Sequence, residues 1–382
     1  MRRRGKRAAA LVVDRALSIL GPLVTSRGAA SPPNAPRVLL VRCDHIGDAI
    51  MATAVLAPLR AALAPSRLDV LVGPWATSLF DRHPAVDGVI AYATPWWLAS
   101  RDAPAKARRA AWRALPGLVR QLRANRYDIV IDLRGDLRQI MFFLVGSGAP
   151  VRVSTDRTGG RALLTHIWPY DAERHEVEKN AAVAATLGVN AETPALDVRF
   201  ERALRPELAD ALRAAAGPRG LMSVSFRSRE ASHAWPATHA ARLIDSARER
   251  LGLGAVFVGG PDDHAFGETI AETARAPFAN LAGRTTLLET IAVFATTQAA
   301  VVVDSGPAHL AACSGVPIIA LFGPSAPQQV RPWTDRARIL TDGSPCGCIH
   351  PRCDFTAGPG RCLAALGPDR VMDLLAHVAC ES

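Results

Sequence analysis

The apolar run Ala300–Val303 stops at Asp304, Ser305, Gly306 and Pro307, and a small-residue stretch carrying His309 comes next. β-Branched residues giving way to a turn and then to alanines predict a buried strand feeding a helix. Pro307 lacks an N–H and suits a first helical turn, and Ser305 suits the N-cap. The unsatisfied N–H groups and positive dipole end of such a helix point out of a sheet's carboxyl edge, where phosphates bind. His309, one turn in, can reach the same anion. Pro317–Gly323 then reads as the next strand, with Pro324 as its stop. Strand, helix and strand in this order predict a nucleoside-diphosphate site. There is no Gly-x-x-x-x-Gly-Lys-Ser/Thr loop, and no Gly-x-Gly-x-x-Gly after the first strand. ATPase and dinucleotide chemistry lose ground accordingly.

A second turn carries a carboxylate. Asp44, His45, Ile46, Gly47 and Asp48 lie between the strand-like Arg37–Arg42 and a helical stretch from Ala49 to Leu63. Gly47 allows close approach of a ligand or a positive φ. Asp48 falls at the helix start, where an acid caps the chain and complements the dipole. At the carboxyl end of a strand, opposite a diphosphate site, it also fits a general base that activates a hydroxyl. No two aspartates are spaced Asp-x-Asp, the pair that commonly holds a diphosphate through a divalent metal. Protein groups are therefore expected to neutralise the leaving group: N–H donors, His309 and arginines. Gly260 and Asp263 close another strand, where an acid can accept from ribose hydroxyls or simply form a turn. Glu289, after Thr285 and Thr286, reads as a helix-start acid.

These turns need strands to hold them. Arg37–Arg42, Leu68–Gly73, Gly88–Tyr92, Tyr127–Asp132 and Val151–Ser154 read as strands, with helical stretches between most of them. Such alternation specifies a parallel α/β sheet with right-handed crossovers. The pattern restarts after Gly217 and Pro218 with Leu221–Ser225, Ala255–Val258, Ala300–Val303 and Ile318–Phe322. Pro368–Val378 closes the chain as a helix. The expected division is an extension and linker at 1–36, a first domain at 37–200 and a second at 201–382.

The 382 residues suffice for two cores, and 49% apolar with 21% charged residues is a globular composition. The net charge of +10 invites a nucleic-acid reading, but no zinc-finger, RRM or KH signature accompanies it. Much of the charge is local: eight basic residues against one acid between Arg101 and Arg126. That stretch reads as a solvated helix face or as a docking surface for an acidic acceptor or lipid headgroups. In residues 1–36, Asp14 and Arg15 cut the apolar run too short for a signal peptide or membrane span. A basic amphipathic helix there fits either a membrane surface or the protein's own core. A cytoplasmic, reducing setting is expected, without disulfides. Cys346, Cys348, Cys353 and Cys362 cluster in a turn-rich segment, 346–362, that could hold a structural zinc or iron or remain free thiols.

The set Val38–Asp48, Ser225–Pro236, Val258–Pro261, Val301–Pro307 with His309, and Phe322–Pro324 resembles the ADP-heptose:lipopolysaccharide heptosyltransferases, glycosyltransferase family 9. The resemblance implies the GT-B fold: α/β, two Rossmann-like parallel-sheet domains facing across a cleft, acceptor side first. It implies an inverting, metal-independent transfer of heptose from ADP-heptose to a lipopolysaccharide core hydroxyl, with no cofactor required. Asp48 takes the place of the base. Ser305, Gly306 and His309 take the donor diphosphate, with Asp304, Pro307, Arg227, Arg229, His233, Gly260 and Asp263 on the donor side. His45, Gly47, Arg108 and Arg109 fall on the acceptor side. One departure stands out: His233 occupies about the place of a lysine that contacts phosphate in the family. An imidazole carries full charge only below its pKa of about 6.5 unless an anion raises it, and Arg227 or Arg229 could supply the charge instead. An anionic glycan or glycolipid acceptor, a place on the inner face of the inner membrane and no nucleic-acid partner are implied by the same reading. Transfer of another sugar, a protein acceptor, or a sugar-nucleotide epimerase of the same fold remain open alternatives.

Overall fold

The computed structural model describes residues 34–228, 233–342 and 361–380. The chain divides into two compact units, the first ending at Val198 and the second beginning at Arg199. The first unit runs β1 (Arg37–Arg42), α1 (Ile46–Ala52), α2 (Leu56–Leu63), β2 (Arg67–Val72), β3 (Gly88–Ala91), α3 (Pro95–Ser100), α4 (Ala105–Ala124), β4 (Ile129–Asp132), β5 (Val151–Thr155), β6 (His166–Trp168) and α5 (Glu176–Ala185). Its six strands are all parallel, in the order β3-β2-β1-β4-β5-β6. Val38, Leu39, Leu40 and Val41 are fully buried, as a central strand covered on both faces requires. Ala111, Leu115, Leu118 and Leu122 recur at helical spacing and form the buried stripe of α4.

The second unit repeats the plan. It runs α6 (Pro206–Ala215), β7 (Leu221–Ser225), α7 (Ala237–Leu251), β8 (Gly254–Phe257), α8 (His264–Thr273), β9 (Phe278–Asn280), α9 (Leu287–Ala295), β10 (Ala299–Val303), α10 (Gly306–Ser314), β11 (Ile318–Phe322), β12 (Ala337–Thr341) and α11 (Pro368–Cys380). Its strands are also all parallel, in the order β12-β11-β10-β7-β8-β9. Counted within each unit, both sheets are ordered 3-2-1-4-5-6, the doubly wound arrangement of Rossmann folds. A Cβ on Gly254 would stand 1.8 Å from the Ala215 carbonyl oxygen. Only glycine lets the end of α6 come so close to the start of β8.

Several elements differ from the sequence expectation. β6 and β9 have three residues each and β12 is mostly half-exposed, so none carries the apolar run that marks a buried strand. The first helix begins at Ile46, three residues earlier than expected, and continues through a short tight turn to Leu63. Asp48 is therefore inside the first turn and not a cap; His45 holds the N-cap position, but its side chain does not cap the backbone. Gly47 is buried within α1 and is not among the glycines with positive φ. The run Ile46–Leu63 is apolar and long enough to cross a membrane, but more than half of it is buried in the fold.

Candidate functional site

In a doubly wound sheet, ligands bind beyond the carboxyl ends of the two strands where the order reverses. In the first unit those strands are β1 and β4, paired so that Val41 lies beside Asp132. Arg42 ends β1, with Asp44 and Asp48 just beyond it, and Leu133 and Arg134 come directly after β4. Arg42 organises the group while 1% exposed. Its Nε donates to Asp44 Oδ1 at 2.9 Å, and its Nη1 to the Leu133 carbonyl at 2.9 Å and to Asn180 Oδ1 at 3.2 Å. Its Nη2 donates to Glu176 Oε1 at 2.8 Å and lies 2.9 Å from Asp48 Oδ1. Four of the five guanidinium donors are thus engaged in hydrogen bonds, and Asp48 pairs with Nη2 by charge. Arg134 Nη1 donates to Asp44 Oδ2 and stands 4.0 Å from Asp48 Oδ2. Lys179 Nζ meets Glu176 Oε2 at 3.2 Å. Three acids and three bases balance, as charges this buried must.

Asp48 keeps one opening, its side chain being 20% exposed. Burial alone would push its carboxyl up, but Arg42 and the hydrogen bond with His45 Nδ1 at 3.2 Å outweigh it and hold Asp48 well below the usual carboxylate range. Burial raises Asp44, against the pull of Arg42. The indole of Trp75 donates to the Asp44 carbonyl at 2.8 Å and stacks on Trp97 with ring centroids 3.6 Å apart, bracing the loop. Next to this group Asp132 is fully buried and accepts from Ser154 Oγ and the Gly135 N–H, both at 2.8 Å. Burial pushes it up to about 6.

In the second unit the order reverses between β10 and β7. Asp304, Ser305 and α10 come after β10, and Phe226, Arg227 and His233 after β7. Asp304 Oδ2 accepts from Ser325 Oγ, beyond β11, and lies 3.7 Å from His233 Nδ1. His233 is buried, and its Nε2 has no hydrogen-bond partner among the described residues. Ser305 occupies the N-cap position, but its hydroxyl turns back to donate to the Val303 carbonyl at 3.1 Å and does not cap the helix. Gly306 and Pro307 open α10, and His309 is buried one turn in. Arg227 Nε stands 3.8 Å from Asp263 Oδ1. Asp263 also accepts from the Gly260 N–H at 2.9 Å, so it closes a turn while facing Arg227. Burial raises its pKa.

The structure therefore gathers His45 and Asp48 at one switch point, with Gly47 in the same helical turn. At the other it gathers Asp304, Ser305, Gly306, Pro307, His309, Arg227 and His233, with Gly260 and Asp263 beside Arg227. Arg108 and Arg109 lie on the exposed face of α4, with no hydrogen bond or ion pair to the Asp48 group among the described residues. Glu289 forms the expected capping box with Thr286 and pairs with Arg205. Arg229, Cys346, Cys348 and Cys353 fall outside the described residues. Cys362 is buried, its Sγ 3.2 Å from where a Cβ on Gly323 would lie. Among the described residues no group of three or more His, Cys, Asp or Glu side chains is placed to hold a metal ion. The sequence reading missed Arg42, Asp44, Arg134, Glu176, Asn180 and Ser325. An arginine closing an apolar strand was the available signal.

Residues 116–354, more than half of the chain, match the family model of glycosyltransferase family 9 (heptosyltransferase). Lipopolysaccharide heptosyltransferase 3 of Escherichia coli is 26% identical over 297 residues, which is 76% of this chain and 84% of that protein. Lipopolysaccharide heptosyltransferase 2 of Salmonella typhimurium is 27% identical over 371 residues, covering 90% and 99%. The structure of E. coli ADP-heptose lps heptosyltransferase II superposes with a TM-score of 0.70 at 23% identity, over 90% of this chain and 99% of that one. The fold with two Rossmann-like sheets is shared with that structure, and the chain belongs to glycosyltransferase family 9, the heptosyltransferases.

Proposed function

We propose that this enzyme transfers a heptose from ADP-heptose to a hydroxyl of a lipopolysaccharide core acceptor, with inversion and without a divalent metal. The relatives named above are lipopolysaccharide heptosyltransferases, matched over most of their length. The observation that carries the catalytic assignment is Asp48, a partly open carboxylate locked into one orientation by Arg42 and His45 at a strand-order switch point. The acceptor hydroxyl attacks the anomeric carbon from the side opposite the departing ADP, and its proton passes to Asp48. A carboxylate held this acidic is a weak base towards a free alcohol. It becomes adequate late in the displacement, when the forming bond makes the hydroxyl strongly acidic.

The developing charge on the diphosphate falls to the dipole end of α10 and its leading Gly306 N–H, and to His309, His233 and Arg227. These charged and dipolar groups do the work that a metal does elsewhere. Arg229 adds positive charge at the diphosphate, Gly260 and Asp263 serve the nucleoside side of the donor, and His45 and Gly47 the acceptor side. The first unit accordingly takes the acceptor and the second the donor. Work on such an acceptor places the enzyme at the inner face of the inner membrane. Cys346, Cys348, Cys353 and Cys362 supply the ligands of a structural zinc or iron that takes no part in the chemistry. Mass spectrometry of lipopolysaccharide from cells with and without the gene tests the transfer: loss of one core heptose supports it, and an unchanged core rejects it.

A further inference from the structure

α4 carries Lys106, Arg108, Arg109, Arg113, Arg120 and Arg123 and no acid, and all six side chains are exposed. None of the six has a carboxylate partner among the described residues, whereas seven of the thirteen other described arginines of the unit do. Arg109, Arg113 and Arg120 stand four and seven residues apart, on the face opposite Ala111, Leu115, Leu118 and Leu122. Their charge is therefore presented outward along one line.

Beside that line lies apolar surface. Trp112 and Met141 are the exposed large hydrophobic residues among the described ones, at 49% and 43%. The Trp112 ring meets Phe142 edge to face at 6.2 Å and Trp96 at 6.1 Å, and Met141 is the residue before Phe142 in the chain. Arg138 lies over Trp96 at 5.3 Å, adding a cation at the patch's edge. A solvated helix face would account for the arginines but not for a tryptophan left in water among them.

We infer that the outer face of α4, with Trp112 and Met141, is a docking surface for a bilayer of anionic phospholipid. Each arginine near such a surface gains from its negative potential. A tryptophan is at home at headgroup level, with its ring among the upper acyl chains. A duplex nucleic acid would use the same charges but would leave Met141 with nothing to gain. The inference does not depend on the identity of the sugar: vesicle binding needs neither donor nor acceptor, so its failure and the failure of the heptosyl reading are separate results.

The test is co-sedimentation of the full chain with vesicles of phosphatidylcholine alone or with about 30% phosphatidylglycerol. Binding is expected only with phosphatidylglycerol and should weaken with added salt. Combined Arg113→Glu, Arg120→Glu and Arg123→Glu should cut partitioning by at least about tenfold. Trp112→Ser should cut it severalfold at unchanged charge. Thermal unfolding of each variant checks that it is folded, and a second charge set, Lys106→Glu with Arg120→Glu, replaces the first if it is not. Equal sedimentation of wild type and charge variants overturns the inference. So does binding of generic duplex DNA with no vesicle binding.

Discussion

Arg42 touches every acid of the first strand-end group, so the state of Asp48 is set by a residue with almost no surface of its own. Arg42→Met would leave Asp44, Asp48 and Glu176 sharing Arg134 and Lys179. Removing one member of a buried ionic network costs about 3–5 kcal/mol, and the variant should show that loss in urea unfolding near neutral pH. Asp48 itself has a depressed folded-state pKa. Its stabilising contribution is present above the unfolded value of about 3.9 and is lost as pH falls below it towards the folded one. Asp48 therefore stays ionised through the physiological range, and kcat/KM should show no acid limb from it down to about pH 5. A limb that disappears in Asp48→Asn, with the residual rate still measurable, would contradict this. Asp48 was legible from sequence because a glycine and two acids crowd one short turn after an apolar strand. Its partners were not. Glu176 and Asn180 reach Arg42 from 134 and 138 positions away, a separation that no local pattern encodes. Ser305 misled in the other direction: the residue type suits a cap, but the hydroxyl bonds backwards to Val303.

At the level of elements, the strands that place the two groups were readable because they are buried on both faces and rich in valine, leucine and isoleucine. The edge strands β6, β9 and β12 were not, since an edge needs neither length nor continuous apolarity. Asp132, at the end of β4, gives a test of how tightly the centre of that sheet is closed at its carboxyl end. Its pKa of about 6 in the fold exceeds the unfolded value of about 3.9. The stability it contributes is complete below pH about 4 and is lost as pH rises to about 6. In Asp132→Asn that slope should vanish, so wild type should lose its advantage over the variant across this window in urea unfolding. Parallel curves would mean that Asp132 is ionised in the fold. Gly117 offers an opposite case on α4, an exposed helical glycine with no atom within 4 Å of a built Cβ. Gly117→Ala should raise stability by about 0.5–1 kcal/mol, measured by the same unfolding.

For the whole molecule, the repeated 3-2-1-4-5-6 plan supplies one switch point in each unit, and the residues at the two points differ in chemistry: balanced buried charge with an open carboxylate in the first, histidines and a helix start in the second. That contrast is the basis for giving the first unit the proton and the second the diphosphate. If protein groups alone neutralise the leaving group, EDTA should leave turnover within about twofold; a strict need for magnesium would overturn that part. The most direct test of the central claim is the rate at which purified enzyme adds heptose from ADP-heptose to heptose-free lipopolysaccharide, read as the mass of the acceptor. The account predicts that the acceptor gains one heptose as ADP is released, and that Asp48→Asn slows this about a hundredfold or more while binding ADP normally. An acceptor of unchanged mass with wild type, or a near-normal rate with Asp48→Asn, would contradict it.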